Sequence, residues 1–257
     1  MVTRLAHHVT PAIRLALTLL LAIGSCNGSS ASLDPSTPGS YRVLFIGNSL
    51  TYVNDLPGTL SQLAASVDDT ISVESVARPN FALIDHVNGQ SEAVQVIRNG
   101  GWNFVVLQEG PSSLPINRDT LVLATRSLDQ DIRAVGARTA LYMVWPERER
   151  LNAFDAVRDA YQLAAKEVGG IFLPAGEAWR TAWAVDPGLA LYGPDNFHPS
   201  ALGTYLAALV IYEGLTGHDA RALPSEAVVA GQKLTVTAST VRLLQRAAHE
   251  TVAKFAH

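Results

Sequence analysis

The sequence predicts an α/β fold: a three-layer α/β/α sandwich around a parallel five-stranded sheet. Three observations carry this. Strand-like and helix-like stretches alternate from Tyr41 onward. The strand candidates are continuous apolar runs, as expected of strands buried on both faces. The 257 residues, 48% hydrophobic and 16% charged, suit one sizeable domain with its own core.

The elements follow in order. "RVLFIG", Arg42 to Gly47, reads as the first strand. Asp55 is placed to cap a helix with Pro57 in its first turn, carrying Leu60, Leu63 and Val67. "TISVESVA", Thr70 to Ala77, is the second strand, and a helix is expected over Leu83 to Ile97. "WNFVVLQ", Trp102 to Gln108, is the third strand, followed by a helix over Thr120 to Ala134. "TALYMVW", Thr139 to Trp145, is the fourth, with a helix over Ala153 to Val168. "GIFLPA", Gly170 to Ala175, is the fifth. Late helices cover Ser200 to Leu215 and Thr237 to Ala253. Ser200 is placed to cap the first of these, whose apolar face includes Leu202, Leu206 and Val210.

The amino terminus reads differently. Arg4 and Arg14 precede "LALTLLLAI", Leu15 to Ile23, which is far shorter than the roughly 20 apolar residues of a membrane span. It matches a secretory leader, expected over residues 1–25. The sole cysteine follows in "IGSC", which resembles a bacterial lipobox and makes Cys26 the expected lipidation site. The alternative is an ordinary leader with an incidental cysteine. Residues 26–40, rich in Ser, Gly and Pro, read as a flexible tether, leaving 41–257 as the folded domain. The expectation is an exported protein, anchored to the bacterial envelope through lipid on Cys26 or secreted.

Much is excluded. The net charge of −4 offers no footprint for nucleic acid. There is no HExxH, no cysteine pair for zinc, no G-x-G-x-x-G and no Walker loop. The GxSxG elbow is absent around Ser49.

Two stretches carry chemistry. Parallel sheets bind ligands beyond the carboxyl ends of their strands, and Ser49 lies just past the first strand in "RVLFIGNSLTYVNDLP". A serine hydroxyl needs a base, and the base needs an orienting group. "DNFHPS" supplies both: Asp195, three residues before His198, can reach Nδ1–H and leave Nε2 facing a serine.

Gly47-Asn48-Ser49-Leu50 and Asp195-Asn196-Phe197-His198 resemble the first and last blocks of the SGNH hydrolases, the GDSL-type esterases and lipases. "GNSLTYVND" and "VVLQEGPS" resemble the "GNSLT" branch. The resemblance spans Arg42 to Tyr205 and implies a flavodoxin-like three-layer sandwich. It also implies a triad of Ser49, His198 and Asp195, with no cofactor and no metal. The oxyanion donors it implies are the Ser49 N–H, a second-block N–H and a third-block side-chain amide, here Gln108. The second block departs from the pattern: Ala77 to Leu83 holds no glycine, and Pro79 has no N–H. Asn80, which tolerates a left-handed backbone, is the candidate donor there.

Tyr52 and Asn54 are expected at the pocket entrance, and Trp145 as a wall of the substrate pocket, with core packing as its alternative. His86 reads as a surface or packed residue bordering the crevice. The implied activity is hydrolysis of a carboxylic ester, with an acetyl group on an envelope or environmental polysaccharide as one substrate and a lipid or short-chain ester as its rival. The alternatives are a glycan-binding lipoprotein on the same fold with little turnover, and an O-acyltransferase.

Overall fold

Val43 to Ile46 carry four consecutive apolar side chains with no exposure, which places their strand at the centre of the sheet. The computed structural model describes residues 1–3 and 39–256. The leader, the tether and Cys26 fall outside these, save Met1–Thr3 and Gly39–Ser40. The chain runs β1 (Ser40–Gly47), α1 (Ser49–Tyr52), α2 (Leu56–Ala65), β2 (Thr70–Ala77), α3 (Leu83–Val87), α4 (Ala93–Asn99) and β3 (Phe104–Leu107). It continues through α5 (Pro115–Ala134), β4 (Arg138–Tyr142), α6 (Phe154–Glu167), β5 (Ile171–Leu173) and α7 (Ala175–Val185). The remainder is α8 (Ala201–Thr216), β6 (Val228–Val229), β7 (Gln232–Lys233) and α9 (Ala238–Phe255).

The sheet is parallel, in the order β2-β1-β3-β4-β5. Helices α2, α7, α8 and α9 pack on one another, and α3, α4 and α6 pack on α5, giving the two outer layers. Helix α8 is buried almost all round, which explains its lack of a polar face. The sheet order reverses between β1 and β3. Their carboxyl ends, Gly47 and Leu107, therefore diverge into loops on either side of a crevice, the usual ligand position in such sheets.

Several expected elements differ. The helix expected over 83–97 is two, because Gly89 adopts φ +75° and ends α3. Helix α5 begins at Pro115 rather than near Thr120, since proline suits a first helical turn. Pro174 cuts β5 to three residues and opens α7, a helix not expected from the sequence. Among the described residues no helix is long and apolar enough to cross a membrane.

Candidate active site

Asn48 follows β1 and caps α1, its Oδ1 accepting from Leu50 N–H at 3.0 Å. Ser49 is thereby the first helical residue, and its N–H is one of the donors that a helix start leaves unpaired. Ser49 Oγ lies 2.8 Å from His198 Nε2, and His198 Nδ1 lies 2.5 Å from Asp195 Oδ2. Asp195 Oδ1 also accepts from the N–H groups of Phe197 at 3.1 Å and His198 at 2.9 Å. The Asp195 carboxyl is pushed down to about 2, chiefly by the hydrogen bond from His198. A carboxylate only accepts, so Nδ1 carries the proton and Nε2 is left to accept from the serine hydroxyl.

The loop bearing this pair is held at several points. Asn196 takes a left-handed turn, with φ 59°. Gly193 N–H donates to the His198 carbonyl at 2.7 Å. Trp145 Nε1–H donates to the Phe197 carbonyl at 3.0 Å. Asn54 Nδ2 donates to the Pro199 carbonyl at 2.9 Å and lies 3.0 Å from Thr204 Oγ1. Ser200 Oγ accepts from Gly203 N–H at 3.1 Å, so the loop runs into a capped α8.

Beside Ser49 opens a cavity of about 370 Å³, lined by Asn48, Asn80, Phe81, Glu109, Ser112 and Phe197 among others. Asn80 has φ 62°, the left-handed state tolerated by asparagine, and its N–H has no partner among the described residues. The structure thus brings together Ser49, His198 and Asp195, and places Asn80 and Ser49 on one cavity. A larger open groove of about 810 Å³ lies at the opposite end of the sheet, lined by residues such as Arg138, Lys166 and Phe172. It has no paired nucleophile and base, so the smaller cavity beside Ser49 is the candidate site.

Four expected residues lie outside the cavity lining. Gln108 is fully buried and does not face the cavity. Its Oε1 accepts from Asn48 N–H at 3.0 Å and the Thr51 hydroxyl at 2.7 Å. Its two amide hydrogens go to Asn48 Oδ1 at 2.9 Å and the Glu109 carbonyl at 2.6 Å. Both donors are spent, so Gln108 is a brace between β1 and β3 and not an oxyanion donor. A Cβ at Gly47 would lie 2.5 Å from Gln108 Oε1, so the brace requires glycine there. Gln108→Ala is expected to lower stability by about 2–3 kcal/mol, since it orphans buried groups on Asn48 and Thr51; the urea midpoint measures this. Trp145 is fully buried and stacks on Trp179 with centroids 3.5 Å apart, so it cannot touch substrate. Asn54 spends its amide on the His198 loop. Tyr52 is 42% exposed and lies outside the cavity lining.

His86 takes the packed alternative of its two expected places, and Glu109 takes a place not expected from the sequence. His86 is fully buried, with Nε2 donating to the Gly47 carbonyl at 2.9 Å and Nδ1 accepting from Ser91 Oγ at 2.7 Å. Burial pulls its pKa down, which keeps it neutral and suited to that donation. Glu109, 5% exposed, borders the cavity, and burial pushes its carboxyl above the ordinary glutamate range. The signal for it was a carboxylate placed directly after a fully buried strand.

No family model matches the chain, and no curated protein matches it in sequence. Solved structures do. A protein from Slackia heliotrinireducens assigned as an SGNH hydrolase is 28% identical, with a TM-score of 0.59 over 68% of this chain and 99% of that one. A DUF4886 family protein from Bacteroides uniformis is 18% identical, with a TM-score of 0.71 over 83% of this chain and 95% of that one. An acetylxylan esterase from Geobacillus stearothermophilus, solved as a catalytic mutant, is 17% identical, with a TM-score of 0.51 over 70% and 95%. At 18% and 17% identity the last two bear on the fold alone. The parallel five-stranded sheet, its helical layers and these likenesses together give the chain the fold of the SGNH hydrolase superfamily.

Proposed function

We propose that the protein is a serine esterase of the "GNSLT" type that cleaves carboxylic esters through Ser49, His198 and Asp195. The carrying observation is the continuous hydrogen-bonded line from Ser49 Oγ through the His198 ring to Asp195. Ser49 Oγ attacks the ester carbonyl carbon while Nε2 takes the hydroxyl proton. The carbonyl oxygen becomes an oxyanion held by the N–H groups of Ser49 and Asn80. Collapse breaks the bond to the leaving oxygen, and His198 returns the proton to it as the alcohol departs. Water then attacks the acyl-enzyme, His198 takes its proton, and the carboxylic acid leaves as Ser49 is restored.

The hole is built from backbone in this reading. Asn80→Gly keeps the N–H and relieves the left-handed strain, so kcat/KM for 4-nitrophenyl acetate should stay within about threefold of the parent. A loss of a hundredfold would assign the asparagine side chain instead.

The substrate we favour is an acetylated polysaccharide. The cavity wall supports it: Asn80, Asn117 and Thr120 offer amides and a hydroxyl oxygen beside the rings of Phe81 and Phe197. The acetylxylan esterase of the same fold shows such chemistry on this architecture. Export and anchoring through Cys26 belong to the same proposal and bring the enzyme to envelope or environmental glycans. Acetate release from acetylated xylan, compared with hydrolysis of 4-nitrophenyl butyrate, tests the substrate. Butyrate turnover with no acetate release from the glycan favours a short-chain ester instead.

A further inference from the structure

Asn80 holds its left-handed backbone with no glycine nearby, so something must fix the loop around it. The loop from Arg78 to Ala82 leaves the end of β2, and its start is tied to β1, where Arg78 N–H donates to the Gly47 carbonyl at 3.1 Å. Its middle is tied by Asn48 Nδ2, which donates to the Phe81 carbonyl at 2.9 Å. Its far end is tied by Glu109: Leu83 N–H donates to Glu109 Oε2 at 3.0 Å. The other carboxylate oxygen, Oε1, accepts from the buried Ser112 hydroxyl at 2.8 Å.

Glu109 is itself rigidly seated. Its N–H donates to Tyr161 Oη at 3.0 Å, and its carbonyl accepts from Tyr161 Oη at 2.5 Å and from Gln108 Nε2 at 2.6 Å. Tyr161 is fully buried on α6. The brace therefore runs from α6 and β3 through one carboxylate to the end of the Asn80 loop. Glu109 borders the cavity that Ser49 and Asn80 share, 5% exposed and with both oxygens occupied.

We propose that Glu109 is a positioning residue for the oxyanion hole, fixing the Arg78–Ala82 loop so that the Asn80 N–H meets the developing charge beside Ser49. This rests on the esterase reading above. Asp85 Oδ2 also accepts from Ala82 N–H at 2.8 Å, a tie within the loop's own segment, whereas Glu109 is the tie that anchors it to β3; Gln108, Asn48 and Glu109 form one support that does not touch the reacting atoms. Preorganised donors of this kind act in the transition state, so loosening one lowers kcat more than it raises KM.

The test uses the full chain and 4-nitrophenyl acetate, with Ser49→Ala, Glu109→Ala and Glu109→Gln, and hydrogen exchange over residues 78–83. Glu109→Gln keeps the geometry, because its amide oxygen accepts from Leu83 N–H and its amide nitrogen donates to Ser112 Oγ. The expected results are a fall in kcat of roughly 10- to 100-fold in Glu109→Ala with KM within about twofold, and a kcat within about threefold in Glu109→Gln. Exchange over 78–83 should rise in the alanine variant only. Where Glu109→Ala does not fold, Glu109→Met keeps the bulk, lacks both acceptors and is held to the same result. An unchanged kcat in the folded alanine or methionine variant, with Ser49→Ala inactive, overturns the positioning role and leaves the esterase standing. An equal loss in Glu109→Gln also overturns it, because the charge and not the tie would then matter. Full activity in Ser49→Ala overturns both.

Discussion

Replacing Ser49 with alanine should reduce kcat/KM for 4-nitrophenyl acetate by roughly ten-thousand-fold, with the fold intact. The expectation rests on one bond: Ser49 Oγ is 2.8 Å from His198 Nε2, and alanine has no atom to attack with. His198→Ala should cost about as much, and the double variant little more, because the groups act as a unit. Asp195→Asn should keep the geometry yet fall by a similar factor, since an amide can turn its NH₂ towards Nδ1 and favour the wrong tautomer. Steady-state rates of purified variants measure all of these. Acid adds a check. The Asp195 carboxyl is held at about 2, below its unfolded value of roughly 3.9. Its stabilising contribution is therefore complete above the unfolded value and lost only as pH falls through about 2. At pH 5 Asp195 is still a carboxylate, so the difference in urea midpoint between the parent and Asp195→Asn seen at pH 7 should persist there.

Trp145→Ala should be the most damaging core change. The ring is fully buried, stacks on Trp179, and donates Nε1–H to the Phe197 carbonyl at 3.0 Å. Removing a buried tryptophan costs about 3–5 kcal/mol, and at roughly 2–4 °C per kcal/mol the melting temperature should fall by about 10 °C. The next residue along the unpinned loop is His198, so activity should fall beyond the loss of stability. Trp145→Phe separates the two effects. It retains a ring against Trp179 and drops the N–H, so it should melt closer to the parent while kcat still declines several-fold. Calorimetry and kcat on the same preparations measure both.

Much of this was legible in the sequence. Val43 to Ile46 and Phe104 to Leu107 declare buried strands because every side chain is apolar. The serine and histidine blocks sit where strand ends and a capped helix put them. Distance in space was not legible. Gln108 and Trp145 stand at strand ends on the crevice side, as a donor and a wall would, yet both point inward. Their roles turn on which partner takes each hydrogen, and sequence spacing carries no such information. Helix α7 is hard to read from sequence although Ala175, Ala178, Trp179 and Ala182 share a buried face, because Pro174 precedes it and the apolar run of β5 leads straight into its start. Gly89 dividing α3 from α4 is visible only once its positive φ is known. Glu109 shows the same limit, since its position after a buried strand marks it while its partners are set by the fold.

The most direct measurement is intact mass and peptide mapping after treatment with a fluorophosphonate, a serine-directed reagent that mimics the tetrahedral intermediate. A serine activated by His198 should give one adduct per chain, located on Ser49, and His198→Ala should label far more slowly. No adduct, an adduct on another residue, or equal labelling in His198→Ala would contradict the assignment of Ser49 as the nucleophile and His198 as its base.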